Sequence, residues 1–145
     1  MKFTMLKLLV LSTFFIISCS KDDPVPTATV TVNGQVLFDN GDDFNGDVDA
    51  SFTGDGGSTT KTFSWQNNLT TADYNADITA TTDGIFRMVV KDADSNTVLD
   101  KSLNGAVEPD SFSGVTSSGT SGIWTVTITL TTFTGDGSFS LSEGN

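Results

Sequence analysis

The chain has 145 residues, of which 18 are acidic, seven are basic, one is cysteine and none is histidine. A single cysteine excludes an intrachain disulfide, and without histidine the protein lacks the commonest metal ligand and general base near neutral pH. The formal charge of −11 argues against nucleic acid as a partner, because binding a phosphate backbone requires clustered basic residues and the lysines here are scattered singly.

The N-terminus has the composition of an export signal. Residues 1–7 form a short basic segment, and residues 8–17 are apolar apart from Ser12 and Thr13. This apolar stretch is about half the length that spans a bilayer, which disfavours the alternative of an uncleaved membrane anchor. The sequence therefore predicts that residues 1–18 are a signal peptide.

The segment Ile16-Ile17-Ser18-Cys19 closes this signal and resembles the lipobox of bacterial lipoproteins, in which the cysteine thiol receives diacylglycerol. The resemblance implies that Cys19 is lipidated and that the membrane is a partner. Two or three acyl chains anchor a protein stably, whereas one chain binds reversibly. The chain that remains after cleavage has five basic and 18 acidic residues, which is a formal charge of −13.

The four residues Ser20-Lys21-Asp22-Asp23 resemble the short acidic export signal of Bacteroidota-type surface lipoproteins. The resemblance implies a lipid anchor in the outer membrane with the domain facing the cell exterior. The alternatives are a periplasmic orientation, retention at the inner membrane, or a solvated tether without a sorting role. Residues 19–26 are a predicted lipidated tether, because a segment rich in Lys, Asp and Pro cannot bury a face.

Residues 27–145 form one predicted domain, in which apolar residues recur with period two. In the clearest case, apolar residues from Trp124 to Leu130 alternate with threonines from Thr125 to Thr129. No segment shows helical periodicity over ten residues. The predicted strands are 27–38, 48–53, 59–65, 74–81, 85–91, 97–103, 123–132 and 138–142.

The first predicted strand contains a competing signal. Asn33-Gly34 is typical of a type I′ hairpin turn, whereas the valines on either side and Phe38 stay in phase straight through it. A two-residue turn would pair Val30 with Leu37 and leave Phe38 on the opposite face. We favour one long strand with a local kink at Gly34.

About eight short strands with turns every eight to twelve residues predict an all-β fold, a two-layer antiparallel β-sandwich of jelly-roll or immunoglobulin-like layout. The long connection 104–122 is the predicted crossover between layers. The segments 119–126 and 135–141, with a Gly-x-Trp-x-Val strand and a Gly-rich turn, resemble the closing strands of P-domain and prepeptidase C-terminal sandwiches. This resemblance supports the sandwich and implies an accessory, non-catalytic module.

Two short motifs predict turns. Phe-Thr-Gly-Asp-Gly occurs at 52–56 and at 133–137, each time at the end of a predicted strand, where glycine supplies the turn conformation. The segment 92–96, Asp-Ala-Asp-Ser-Asn, alternates oxygen side chains as a calcium loop does. Its place between Val-rich strands favours a hairpin turn instead.

The segment 39–49 is the strongest candidate for a metal site, with five carboxylates in eleven residues. Calcium takes six to eight oxygen ligands, and Asp43, Asn45 and Asp47 alternate as at the opening of an EF-hand loop. The match then fails, because Val48 stands where that loop needs glycine. We favour a solvated acidic turn, with calcium as the alternative. The candidate ligands are Asp39, Asp42, Asp43, Asn45, Asp47 and Asp49.

Aromatic side chains offer a candidate platform for a sugar ring. Trp124 is in phase with a core stripe, and we expect it to be buried. Trp65 and Tyr74 flank the loop 66–73, which makes them the candidate surface pair.

Carboxylates are the one catalytic side chain present in number, so the enzyme class left open is a glycoside hydrolase with two acids. Glu108 and Glu143 are the two glutamates, and both lie in loop-like contexts. We therefore predict no enzyme. The expected function is a lipid-anchored, non-catalytic module at the cell surface that binds or supports a polysaccharide or a surface protein. The alternatives are a structural or assembly subunit of an outer-membrane complex and, more remotely, the hydrolase.

Overall fold

The computed structural model describes residues 23–80 and 82–144, so the predicted signal peptide and Cys19 lie outside the described residues. Every regular element of the described part is a strand. The nine strands are β1 Ala28–Val32, β2 Gln35–Val36, β3 Asp42–Phe44, β4 Val48–Asn67, β5 Ala72–Thr79, β6 Ile85–Lys91, β7 Thr97–Asn104, β8 Ser111–Val115 and β9 Gly122–Glu143.

Two long strands, β4 and β9, organise the fold. They pair antiparallel along their whole lengths, from Val48 opposite Leu141 to Asn67 opposite Gly122. Register shifts interrupt this ladder between Asp55 and Thr59, and bulges of this kind bend a strand. Each long strand is thereby divided into two halves that lie in different layers.

The first layer contains β2, β1, the N-terminal half of β4, the C-terminal half of β9, β5 and β8. The second contains β3, the other halves of β4 and β9, β6 and β7, and all pairs are antiparallel except β3 with β4. Phe52 of the first layer stacks on Phe86 of the second, with ring centroids 4.5 Å apart. One folded sheet thus encloses one core, and the predicted all-β sandwich is confirmed.

The repeated Phe-Thr-Gly-Asp-Gly motif builds the bend. Gly54 of the first copy pairs with Gly135 of the second, and a Cβ atom at Gly54 would collide with the carbonyl oxygen of Phe133. Gly56 and Gly135 have φ angles of 98° and 137°, which favour glycine. The prediction that these motifs end strands was wrong, because their glycines let two continuous strands turn the corner between layers.

The prediction of one long first strand was also wrong. Asn33 and Gly34 have φ angles of 48° and 80°, as a type I′ turn requires, and β1 and β2 form a hairpin around them. The amide of Leu37 donates to the carbonyl of Val30 at 2.9 Å. Leu37 is therefore buried, while Phe38 is 78% exposed.

Two short strands, β3 and β8, were not predicted. β3 has three residues, and β8, whose sequence is Ser-Phe-Ser-Gly-Val, lies inside the predicted crossover 104–122. Neither is long enough to show an alternating pattern. Each forms because a longer strand offers it an edge, β4 for β3 and β5 for β8.

Candidate functional site

A groove of about 310 Å³ lies on the outer side of the second layer, beside the edge strand β3. Strand alternation creates it: Phe63 and Trp65 face the core, so the residues between and after them, Ser64 and Gln66, face outward. Ile123 pairs with Gln66 across the β4–β9 ladder. The groove is lined by Asp43, Phe44, Asn45, Ser64, Gln66 and Ile123.

The wall formed by β3 is held from the core side. Phe44 packs edge-on against Phe63, with ring centroids 5.3 Å apart. The indole nitrogen of Trp65 donates to the carbonyl of Gly46 at 2.7 Å, which ties down the end of the same wall. Asn40 accepts a hydrogen bond from the amide of Thr62 at 3.0 Å. The groove is therefore preformed rather than assembled from a loose loop.

The two outer faces of the sandwich differ in charge. Among the described residues, the register places five aspartates and no basic residue on the outer face of the first layer. On the outer face of the second layer, two aspartates are balanced by two basic residues. The first set is Asp49, Asp55, Asp73, Asp77 and Asp136, and the second is Asp43, Asp100, Arg87 and Lys91.

Two of the charged residues on the outer face of the second layer, Arg87 and Asp100, form an ion pair. Arg87 Nε and Nη2 donate to the two carboxylate oxygens of Asp100 at 2.8 and 2.6 Å, a bidentate arrangement. These hydrogen bonds lower the pKa of Asp100 and raise that of Arg87. Both side chains are about half exposed, so the pair contributes little stability, but it leaves this part of the face without net charge.

Hydroxyl groups continue the groove along the same face. Thr62 and Thr127 lie opposite each other with their Oγ1 atoms 3.0 Å apart, and Thr60 donates to Thr129 at 3.3 Å. Ser64 stands in the next row, opposite Thr125. The groove thus opens onto a neutral, hydroxyl-covered strip of sheet.

A second polar cluster centres on Asp92, whose side chain is 4% exposed. Its oxygens accept hydrogen bonds from the amides of Thr120 at 2.9 Å, Asn96 at 2.7 Å and Asp94 at 3.1 Å, and from the Asn96 side chain at 3.2 Å. The Thr120 bond is the main cause of a lowered pKa for Asp92. Segment 92–96 is thus a turn between β6 and β7, as predicted, and its first carboxylate binds the crossover.

The predicted single crossover 104–122 was wrong, because this connection leaves the second layer after β7, enters the first layer at β8 and returns to the second layer through residues 116–121. Thr116 donates its amide to Ala72 of the first layer at 2.9 Å, and Ser117 donates to Val98 of the second at 3.1 Å. Asp92 Oδ1 accepts from amides of its own turn, and Oδ2 accepts from the Asn96 side chain and from Thr120 of this segment, so the Asp92 cluster is structural.

The candidate metal ligands are dispersed. Asp42 and Asp43 are neighbours on β3, so their side chains leave the strand in opposite directions, and Asp42 accepts a hydrogen bond from Gln35 at 3.1 Å. Asp49 belongs to β4 and faces outward on the first layer. In the described part of the chain, no three His, Cys, Asp or Glu side chains are grouped so that they could hold a metal ion.

The structure brings Asp43 and Asn45 together with residues that were not predicted. Ser64, Gln66 and Ile123 line the groove beside them. The sequence did contain a signal for Ser64 and Gln66, because they alternate with the core residues Phe63 and Trp65 and must therefore face outward. Nothing local signalled Ile123, which reaches the groove through the pairing of strands far apart in sequence.

The proposed surface pair Trp65 and Tyr74 was wrong. Both occupy core-facing positions, and Trp65 is fully buried against Trp124, with ring centroids 5.9 Å apart. Tyr74 is half-buried and packs edge-on against Phe112. The prediction that Trp124 belongs to the core is confirmed.

A second groove, of about 330 Å³, lies near the bend and is lined in part by Asp77, Glu108 and Asp110. Glu108 Oε2 accepts a hydrogen bond from the Asp110 amide at 3.3 Å. The other glutamate, Glu143, is elsewhere and accepts hydrogen bonds from the amide and side chain of Asn68 at 2.6 and 2.7 Å. The two glutamates therefore do not form a pair.

Comparison of the chain with protein-family models, with curated proteins and with solved structures finds no match. The described residues include no helix that could cross a membrane.

Proposed function

We propose that the protein is a lipid-anchored, non-catalytic binding module on the outer face of the outer membrane. The observation that carries this proposal is the groove beside β3, which combines amide, hydroxyl, carboxylate and apolar groups on a held framework. Concave sites that place a few polar groups beside apolar ones are typical of ligand binding.

The position of the groove suits a tethered receptor. Thr27 lies next to the predicted tether and contacts Asp55 at the bend of the sandwich: the Asp55 amide donates to the Thr27 carbonyl at 3.1 Å, and the Thr27 amide donates to the Asp55 carboxylate. Gln66 lies near the far end of β4, about 20 Å or more along the strand from the bend at a rise of about 3.3 Å per residue. A lipid at Cys19 would hold the bend toward the membrane and leave the groove accessible.

A binding role also fits the chemistry better than catalysis. The chain has no histidine to act as a general base, and Glu143 accepts a hydrogen bond from the amide of Asn68 in the loop between β4 and β5. The carboxylate in the groove, Asp43, is exposed and lies beside amides, where it can accept hydrogen bonds from hydroxyl groups.

Surface display is tested by protease treatment of intact cells that express the wild type or a variant with Lys21, Asp22 and Asp23 changed to alanine. We expect wild-type protein to be digested and the variant to be protected, with equal amounts of both in the membrane fraction. Wild-type protein that resists digestion until the cells are lysed would contradict display at the surface.

Binding is tested by capture with the intact, detergent-solubilised lipoprotein. We expect a saturable ligand that elutes without a stoichiometric membrane complex. Co-purification of the lipoprotein with a fixed set of outer-membrane subunits, in constant ratio, would instead support the assembly role.

A further inference from the structure

The groove and the strip that extends it have a ligand preference that can be derived from their charges. The domain is strongly acidic, yet the outer face of the second layer has two carboxylates and two basic groups, of which Arg87 and Asp100 pair with each other. The opposite face has five aspartates and no basic residue in the part of the chain that the structure describes. An anionic ligand would be repelled by the domain as a whole, and a cationic ligand would prefer the other face.

The groups in the groove match a polyhydroxylated ligand. Asn45 and Gln66 each carry a donor and an acceptor on one amide, and Ser64 adds a hydroxyl group that does both. Asp43 adds an acceptor. Ile123 is 55% exposed and offers an apolar surface to the C–H face of a sugar ring. A ligand with alternating hydroxyl and C–H groups can satisfy all of these at once.

The shape of the site indicates that the ligand is a chain of linked sugars rather than a single sugar. The groove is open, and its volume of about 310 Å³ is at the lower end of the range for small-molecule pockets. Beyond it, the rows of Thr62 with Thr127 and Thr60 with Thr129 present further hydroxyl groups along the sheet. A ligand longer than the groove would continue over these rows.

We infer that the ligand is a neutral polysaccharide, bound in the β3 groove and along the adjoining threonine rows of the second layer. This inference rests on the proposed binding function and adds the class of ligand and the face that binds it. Affinity is expected to be modest, because hydrogen bonds to an exposed groove replace hydrogen bonds to water.

The test is native affinity electrophoresis of the full lipoprotein in detergent, in gels that contain dextran, laminarin or galactomannan, with alginate as the acidic comparison. We expect at least one neutral polysaccharide to retard the protein and alginate to have no effect. Changing Asn45 and Gln66 together to alanine should weaken binding by about tenfold or more, since two ligand-facing amides are lost.

A matched pair of variants tests which outer face of the sandwich binds the polysaccharide. Ser64→Glu places a charge and added bulk in the groove and should abolish retardation. Ser138→Glu makes the same change at an exposed site on the acidic face and should leave retardation unchanged. Melting temperatures of all variants, compared with wild type, show that a loss of binding is not a loss of folding.

Three outcomes overturn the inference. Retardation that survives both the Ser64→Glu change and the double alanine change would place the ligand elsewhere. Absence of retardation by every neutral polysaccharide, together with saturable capture of a protein or an acidic glycan, would show that the module binds another class and would leave the proposed function intact. No saturable ligand of any kind would reject both.

Discussion

Trp65 on β4 lies directly opposite Trp124 on β9, with their ring planes at 89° and both side chains fully buried. Each indole nitrogen donates to a loop carbonyl, Trp65 to Gly46 at 2.7 Å and Trp124 to Thr120 at 2.8 Å. The pair therefore joins the core to the wall of the groove on one side and to the crossover on the other.

Truncation of this pair should be severely destabilising. We expect Trp124→Ala to lower the free energy of unfolding by about 3–5 kcal/mol, because a large cavity is left in the core. Thr125→Ala, one residue further along on the outer face, should change it by about 0.5 kcal/mol or less. Urea denaturation measures both free energies, and a Trp124→Ala protein whose free energy of unfolding is within about 0.5 kcal/mol of wild type would contradict the assignment.

Loss of the Asp92 carboxylate should loosen the crossover. Asp92→Asn puts an NH₂ group where an acceptor oxygen faces amide donors, so we expect a lower melting temperature. The comparison is Asp100→Asn, which breaks an exposed ion pair and should cost less. Equal melting temperatures for the two variants would show that the buried cluster contributes nothing special.

The same cluster predicts a dependence on pH. The folded state holds the pKa of Asp92 below its usual 3.8, chiefly through the Thr120 amide, so near this value the unfolded chain binds a proton more readily than the native protein. The stabilisation is complete above this pH and is lost as the pH falls through the folded-state pKa. Denaturation curves between pH 7 and pH 2 should show a smaller acid loss for Asp92→Asn than for wild type. Parallel pH profiles would contradict this.

Lys101 should keep the edge of the second layer from pairing with another chain. It occupies a core-facing position between the buried Leu99 and Leu103, yet it is exposed on the edge strand β7. Inward-pointing charges of this kind block edge-to-edge association. We expect Lys101→Val, in a Cys19→Ser background without acyl chains, to self-associate with rising concentration in light scattering. Lys91→Val, which faces outward, should remain at the size of its parent.

Calcium should have little effect on stability. Asp42 and Asp43 are neighbours on β3 and leave the strand in opposite directions, and Asp42 is hydrogen-bonded to Gln35. We expect melting temperatures in millimolar calcium and in chelator to agree within about a degree. A bound ion at 100 times its dissociation constant would add about 2.7 kcal/mol and shift the melting temperature by several degrees. Such a shift, if removed by Asp43→Asn with Asp47→Asn, would establish a site.

Membrane anchoring should depend on one sulfur atom. Cys19→Ser removes the thiol that would receive the lipid, so metabolic labelling with a palmitate analogue should mark wild type and leave the variant unlabelled. Ser20→Ala, next to it, is the control and should label as wild type does. Equal labelling of the Cys19→Ser variant would remove the basis for the proposed location.

Part of the site was visible in the sequence and part was not. Asp43 and Asn45 stood out because they alternate in an acidic segment, although the chemistry that suggested them was calcium binding. The surface pair of Trp65 and Tyr74 failed because both residues lie in phase with buried neighbours, Phe63 and Ala76. The prediction placed both residues at the surface because they flank the loop 66–73, although the alternation of buried residues indicates that they face the core.

The sequence by itself determined where the longer strands lie and which side of each is buried, because the pleat turns alternate residues to opposite faces whatever the partner. Tertiary structure decided that four predicted strands are the halves of two, β4 and β9, and that Ile123 meets Gln66. These contacts depend on the register between strands many residues apart. That register is selected by the core as a whole, because a slip of one residue would expose every buried side chain of a strand.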